Sequence, residues 1–285
     1  MLKPEWSWTS WHPHPDVWAL CIVLVVGYVL LVRRVGPSRV SVGESLVTRA
    51  QIRNFALSIT LLFISAEWPM HDLSEGYLYS AHMTQHMILT LAVAPLLMAG
   101  IPAWMARTLV PPRAMRVART LARPLIALAI FNTYLVFSHW PRVVEAAVGD
   151  EVTHFVLHSV LVLSALIMWA PVLSPVLEVP RLSYPGQIGY LFLQSLVPTV
   201  PASFLTFGSA PLYKVYALFP HPWGISTLSD QRAAGLLMKI GGGFAIWGVI
   251  TVLFFKWQKQ EIDTGVDALG LRDVDATLNR MELTS

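Results

Sequence analysis

Seven long apolar runs constrain the fold of this chain more than any other feature of its sequence. Each run has about the length of the roughly 20 helical residues that cross the hydrocarbon core of a bilayer. Hydrophobic residues make up 55% of the 285 residues and charged residues only 13%, which is not the composition of a water-soluble domain. Because lipid-exposed backbone must satisfy its own hydrogen bonds, the runs are predicted to be helices. We predict an all-α membrane protein with spans at 16–32, 52–67, 77–99, 122–139, 151–173, 185–207 and 231–257.

The distribution of arginine predicts the orientation of these spans. The loops between spans one and two and between spans three and four are rich in arginine, and such loops are cytoplasmic by the positive-inside rule. This predicts a seven-transmembrane-helix bundle with the N-terminus outside, a membrane domain at 1–258 and a cytoplasmic C-terminal tail at 259–285. Because the basic residues cluster at span ends, the net charge of +3 does not indicate a nucleic-acid partner. The loop arginines are Arg33, Arg34, Arg39, Arg49, Arg53, Arg107, Arg113, Arg116, Arg119 and Arg123.

Several classes of chemistry lack their motifs. A single cysteine, Cys21, excludes an intramolecular disulfide, a CxxC redox pair and a cysteine-based zinc site. A zinc protease of the HExxH type needs a glutamate beside its first histidine, but Met83 and Phe155 follow His82 and His154. The chain also lacks a nucleotide-binding glycine loop and a GxSxG elbow. We therefore predict no enzymatic activity.

Four histidines form two pairs inside the predicted spans. His82 and His86 lie in the outer part of span three, and His154 and His158 lie in the outer part of span five. Residues at i and i+4 share one face of a helix. Counting about 1.5 Å per residue from the outer ends, the first pair lies roughly 8 and 14 Å deep and the second roughly 5 and 11 Å. Spans three and five are therefore predicted to be neighbours that bring four imidazoles to one metal site.

Methionines near this layer indicate which metal it binds. Met83 and Met87 repeat the i, i+4 spacing beside the first histidine pair, and Met238 lies two turns into span seven. Thioether and imidazole ligands together favour copper, above all Cu(I). Packing is the alternative role for each methionine, and structural hydrogen bonding is the alternative role for a single histidine.

Acidic residues beside the predicted site have two interpretations each. Glu151 lies one turn before His154, where it could orient the imidazole as an outer-shell partner, or cap the helix together with Asp150. Asp230 opens span seven, either as a helix cap or as a group facing the histidines.

Spans six and seven contain helix-breaking residues and one unexpected cation. Pro198 and Pro201 in span six and the glycines 241–243 in span seven predict kinks or close helix approach. Lys239 lies near the predicted bilayer midplane, where a cation needs a partner or a hydrated cavity. The sequence assigns it no role.

Motifs along most of the chain resemble those of one family. Span three and its continuation read SAHMTQHMILTLAVAPLLMAGIP from Ser80 to Pro102. In this pattern the chain resembles the seven-span CtaG family of cytochrome c oxidase assembly factors, which is distinct from the single-span copper chaperone of the same name. Shorter matching motifs are Trp11-His12-Pro13, Ser138-His139-Trp140-Pro141, His154-Phe155-Val156-Leu157-His158, Trp169-Ala170-Pro171, Pro211-Leu212-Tyr213-Lys214-Val215-Tyr216 and the segment from Asp230 to Met238.

The resemblance implies a role in assembling haem-copper cytochrome c oxidase in the bacterial cytoplasmic membrane. Copper would be held on the outer side and handed to the oxidase, so the implied partners are oxidase subunits, the lipid bilayer and an outer-side copper donor. A copper permease and a haem- or oxidase-docking scaffold without bound metal are the alternatives. Carried over by position, the implied ligands are His82, His86, His154 and His158, with Met83, Met238, His139 and Asp230 as weaker members.

Overall fold

A computed structural model describes residues 6–9, 11–41 and 43–282, with side chains described as far as residue 264. Helix is the only regular secondary structure in these residues. The helices of the first half are α1 (Pro15–Leu30), α2 (Arg49–Ala66), α3 (Met70–Gly76), α4 (Tyr79–Ile88), α5 (Ala94–Gly100), α6 (Ala103–Leu109), α7 (Pro112–Leu121) and α8 (Pro124–Ser138). Those of the second half are α9 (Pro141–Gly149), α10 (Glu151–Leu173), α11 (Tyr184–Leu196), α12 (Thr199–Phe207), α13 (Thr227–Leu236) and α14 (Gly242–Glu282).

Five helical segments of the described chain are long and apolar enough to cross a membrane. They correspond to the predicted spans one, three, five, six and seven. Three of them join two helices through short linkers: α4 continues into α5 and α13 into α14 through π-helical turns, and α11 is followed by α12. The five segments are Pro15–Ser38, Tyr79–Gly100, Glu151–Leu173, Tyr184–Phe207 and Thr227–Thr264.

The predicted spans two and four are weaker in the structure. Helix α8 has 15 residues and meets the length criterion only together with α7, from which it is bent by 79°. Helix α2 has 18 residues, and its first turns carry Arg49, Gln51 and Arg53, which lower its hydropathy. The structure therefore supports five spans, or six if the bent pair counts as one. Seven spans and their orientation remain predictions.

Local sequence explains where several helices begin. Thr48 and Gln51 form a reciprocal capping box at the start of α2. Ser226 caps α13 by accepting a hydrogen bond from the Ser229 amide. Proline occupies one of the first two positions of α1, α7, α8, α9 and α11, where its missing N–H leaves no helical bond unmade.

The predicted irregularities of spans six and seven occur. Span six is interrupted after Leu196, and Pro198 stands at the start of α12. A π-helical turn at Leu237–Gly241 interrupts span seven. A Cβ atom on Gly241 would lie 2.9 Å from the Met87 methyl carbon, so a larger residue would require the end of the flexible Met87 side chain to move.

The packing order places spans three and five side by side. Helix α10 contacts α5, the π-turn before it and α8, while α11 packs on α14 and α12 on α13. Trp169 of α10 is buried and donates its indole N–H to the Thr90 carbonyl of span three, at 2.8 Å. The predicted adjacency of spans three and five is therefore confirmed.

The two ends of the bundle differ in chemistry. The histidine end is where α1, α4, α10 and α13 begin, and the arginine end is the opposite one. At the arginine end Arg107 pairs with Glu178 at 2.8 Å. Helix α14 runs without interruption across residue 258, from the span into the predicted tail. Residues 283–285 of that tail lie outside the described residues, and the division at 258 remains a prediction.

Candidate metal centre

The paired histidines of α4 and α10 meet in one cluster at the histidine end. The ring centroids of His82 and His158 are 5.5 Å apart, those of His82 and His154 5.6 Å, and those of His86 and His158 4.8 Å. One ring nitrogen from each of His82, His86 and His158 lies within 4.8 Å of the others. His82 and His154 are buried. We call these four residues, His82, His86, His154 and His158, the imidazole cluster.

The spacing within the α10 pair suits two ligands of one ion. The Nε2 atoms of His154 and His158 are 3.4 Å apart. Two imidazoles bound tetrahedrally with metal–nitrogen bonds of about 2.0–2.1 Å place their nitrogens about 3.3–3.4 Å apart. The two nitrogens are therefore already near the separation that a shared metal requires.

A carboxylate from another helix orients His154. The Nδ1 of His154 contacts the carboxylate of Glu75, which belongs to α3. An ionised carboxylate only accepts hydrogen bonds, so the proton stands on Nδ1 and the lone pair on Nε2 faces His158. This is the carboxylate–histidine arrangement found behind metal ligands.

The sequence assigned this orienting role to Glu151 as one of two alternatives. Glu151 is exposed at the start of α10, and Glu75 makes the contact to His154 instead. The capping alternative is correct for Asp150, whose carboxylate accepts a hydrogen bond of 2.8 Å from the Thr153 amide.

Asp230 is a helix cap, but for a different helix from the one predicted. Its carboxylate accepts hydrogen bonds from the amides of Tyr79 at 2.6 Å and Ser80 at 3.1 Å, and it also contacts the Ser80 hydroxyl. These amides are the first of α4, so Asp230 of α13 caps the helix that carries His82. Both carboxylate oxygens are engaged there. The helix of Asp230 itself is capped by Ser226.

A cavity of about 70 Å³ adjoins the imidazole cluster on the side of the bundle centre. His86 and His139 both line it, and their ring centroids are 6.4 Å apart. The Nδ1 of His139 donates to the Leu135 carbonyl at 2.7 Å, which leaves the lone pair on Nε2. That Nε2 atom is buried and has no hydrogen-bond partner among the described residues. An imidazole fixed in this tautomer is prepared to bind a metal.

Thioethers form much of the remaining cavity wall. Met83, Met87, Met168 and Met238 line it together with the two imidazoles. Met238 belongs to the π-helical turn of span seven, a type of turn that occurs frequently at functional sites. The structure therefore brings Met83, Met238 and His139 together beside the imidazole cluster, whereas the oxygens of Asp230 face the start of α4.

Lys239 lines the same cavity at a more central position. Gln194, Ser195 and Thr199 of span six also line this cavity. Its Nζ atom stands 5.8 Å from the centre of the Phe207 ring, a distance suited to a cation–π interaction. The cation thus has an aromatic partner, which the sequence did not identify.

Sequence reasoning missed a second group of ionisable residues. The sequence assigns no role to His14, His71, Asp72 or Glu75, and His12 stands out only in the Trp11-His12-Pro13 motif. In the structure these five residues contact one another in a line that ends at His154. Burial lowers the pKa of His71, with a smaller opposing contribution from Glu75. The i, i+4 spacing of His71 and Glu75 is the sequence signal that could have identified part of the group.

Comparison with known proteins agrees with the motifs. No curated protein and no solved structure matches the chain. The family model for the cytochrome c oxidase caa3 assembly factor, Caa3_CtaG, matches residues 26–260. The matched segment contains the imidazole cluster and the adjoining cavity. It also contains the end of span one and all the later predicted spans. The chain therefore belongs to the family of cytochrome c oxidase caa3 assembly factors.

Proposed function

We propose that this protein binds Cu(I) at the imidazole cluster and hands it to a copper centre of cytochrome c oxidase. The observation that carries the proposal is the convergence of four imidazoles from two helices, with ring nitrogens of three of them within 4.8 Å of one another. Family membership supplies the oxidase as partner. The proposed location is the bacterial cytoplasmic membrane, with seven spans and the histidine end facing outward, in agreement with the arginine distribution.

The ligand set favours copper in its lower oxidation state. Zinc and Cu(I) both accept imidazole, but thioethers are soft ligands that select Cu(I). Met83 and Met238 adjoin the imidazole cluster, together with the Nε2 atom of His139, which has no hydrogen-bond partner in the described part of the chain. We assign Met83, Met238 and His139 as auxiliary ligands and Asp230 as the residue that fixes α4.

Handover is proposed to occur by ligand exchange without a change in oxidation state. Ligands of the acceptor would replace the imidazoles one at a time while the ion remains Cu(I). The cluster lies near the end of the bundle, so the ion has a short path to a docked acceptor. A carrier that held the ion deeply within an all-protein cage would not permit such exchange.

A haem scaffold is the less favoured alternative. Pockets that hold organic ligands measure about 300–1,000 Å³, whereas the cavity beside the cluster measures about 70 Å³. A haem absorption band in the purified protein would reverse this preference.

A copper permease is the other alternative. One observation favours it: the cavity wall also contains the polar side chains of Lys239, Gln194 and Thr199, as a path for an ion would. However, none of the cavity-lining residues belongs to 31–48, 101–123 or 174–183, the three connections at the arginine end. Delivery at the histidine end therefore fits better than transport across the membrane. Copper uptake into vesicles that contain only this protein would favour the permease.

Cells that depend on this chain for oxidase assembly provide the test. We expect the double substitution His82→Ala and His158→Ala to lower the copper content of the purified oxidase, and its activity, by about tenfold or more, because two of the four imidazoles are lost. Copper per haem in the isolated oxidase measures the effect.

The matched control is His221→Ala, which removes an exposed histidine from outside the cluster. Immunoblots of membranes verify that all three forms accumulate equally. Normal copper content and activity in cells carrying the double variant would show that the paired histidines do not deliver copper.

A further inference from the structure

We propose that His12, His14, Asp72, His71 and Glu75 form an acquisition chain that captures Cu(I) at the surface of the histidine end and leads it to the imidazole cluster. The inference rests on the proposed function, because the imidazole cluster is its destination. It concerns residues outside that cluster and the rate at which the cluster is filled.

The outermost member of the chain is exposed, and the histidine at its inner end is buried. The side chain of His12 is 65% exposed, the next four members are 14–22% exposed, and His154 is 6% exposed. An ion arriving from water would therefore meet His12 first and the cluster last.

The contacts between successive members are direct. Asp72 bridges the first two histidines, with one carboxylate oxygen 2.7 Å from Nδ1 of His12 and the other 3.0 Å from Nε2 of His14. The rings of His14 and His71 follow, with centroids 4.2 Å apart. Every step so far joins groups that bind metal ions.

Glu75 completes the connection to the imidazole cluster. Its Oε1 atom lies 3.3 Å from Nε2 of His71 and also contacts Nδ1 of His154. His71 and His154 have ring centroids 5.9 Å apart. One carboxylate oxygen therefore joins the last histidine of the chain to the first histidine of the cluster.

His71 has a free ligating nitrogen at the centre of this chain. Its Nε2 faces the Glu75 carboxylate and is the protonated nitrogen, so the lone pair is on Nδ1. That Nδ1 atom is buried and has no hydrogen-bond partner among the described residues. Burying an imidazole nitrogen without a hydrogen-bond partner costs free energy. A cation bound between His71 and His14 would provide this nitrogen with a partner.

Aromatic packing holds the outer members in place. The ring of Trp6 lies 5.2 Å from that of Tyr77 and 6.4 Å from that of Trp68. Trp18 donates to the carboxylate of Glu67 at 2.9 Å. Residues on both sides of His12 and His14 therefore contact the segments that flank α3.

Two acids along the path add electrostatic attraction for a cation. Asp72 lies between His12 and His14, and Glu75 lies between His71 and His154, so an ion that moves along the chain would pass a carboxylate at two points. Acids that line an approach raise the rate of cation association. A structural clasp for the N-terminal segment is the competing role of the same contacts, and the two roles differ in their effect on kinetics.

Stopped-flow measurement of Cu(I) loading, on the full-length protein in detergent, distinguishes the acquisition chain from a structural clasp. The probe is Cu(I) presented as its bicinchoninate complex, and the loss of that complex's absorbance gives the second-order loading rate. We expect His14→Gln with His71→Gln to slow loading about tenfold or more while the copper bound at equilibrium stays unchanged. His12→Gln alone should slow loading to a smaller extent, and His221→Gln should load at the wild-type rate.

Each other outcome has one interpretation. Loading of the double variant at the wild-type rate would show that the contacts are a clasp and would overturn the chain. Loss of equilibrium copper from the double variant would also overturn it, because His14 and His71 would then belong to the storage site itself. Failure of the wild-type protein to take up any Cu(I) would instead contradict the proposed function.

Discussion

At the scale of single residues, two contacts determine which nitrogen of a buried imidazole is available to a metal. Glu75 holds the proton of His154 on Nδ1, and the Leu135 carbonyl holds that of His139 on the same atom. In both rings the lone pair is therefore on Nε2. Glu75 and Leu135 are not among the proposed ligands, and the tautomer that they fix affects how tightly an imidazole binds a metal.

Substitution of Glu75 tests this orienting effect. We expect Glu75→Gln to weaken Cu(I) binding by about 10–100-fold, because the amide can donate as well as accept and no longer fixes the tautomer of His154. Competition with a Cu(I) chelator measures the affinity. Glu145→Gln, at an exposed position of α9, is the matched control, and equal affinities of the two variants would show that Glu75 does not orient a ligand.

At the scale of helices, the position of the site depends on contacts between distant parts of the chain. Asp230 caps α4 across a separation of 151 residues, and the hydrogen bond from Trp169 to Thr90 joins α10 to span three across 79 residues. These contacts fix the start of α4 and the distance between the two helices that carry the imidazole cluster.

Substitution of Asp230 distinguishes a cap from a ligand. Asp230→Ala leaves the buried amide of Tyr79 without an acceptor, which costs about 1–3 kcal/mol of unfolding free energy. Asp230→Asn retains one acceptor oxygen and should lose less stability and little Cu(I) affinity. Thermal unfolding in detergent and a chelator titration measure the two quantities. A large loss of affinity in Asp230→Asn at unchanged stability would make Asp230 a direct ligand.

The sequence predicted those features of the site that depend on local spacing. The i, i+4 spacing predicted that each histidine pair lies on one face of its helix. The similar depths of the two pairs in the membrane predicted that spans three and five are neighbours. The i, i+4 spacing of His71 and Glu75 indicates only that local pair. The contact of Glu75 with His154 could not be predicted, because it depends on where α3 lies relative to α10 and no periodicity encodes that. The same holds for Asp230, whose partner helix is far away in the chain.

The apolar pattern predicted the membrane spans less well at α2 and α8. Run length predicted spans two and four, but α2 carries polar residues in its first turns and α8 is bent from α7 by 79°. A hydropathy pattern records composition along the chain and not the direction of the backbone, so it does not detect such a bend.

At the scale of the whole molecule, the proposed delivery of copper requires that the histidine end face the outer side of the membrane. Because Cys21 is the only cysteine, a Cys21→Ala background permits single-cysteine labelling. We expect Trp223→Cys, at the histidine end, to react with a membrane-impermeant maleimide in intact cells, and Arg119→Cys to react only after permeabilisation. Mass shift on gels measures the labelling. The reverse pattern would place the histidine end in the cytoplasm and contradict delivery on the outer side.

The central claim is that the imidazole cluster holds copper, and the most direct test is the Cu(I) content of the purified protein after equilibration with a competing chelator. Wild-type protein and the His221→Ala control should each retain one equivalent that the double variant His82→Ala and His158→Ala lacks, because removal of half the imidazoles leaves too few ligands to compete. Equal copper content in the double variant and the wild type would contradict the account.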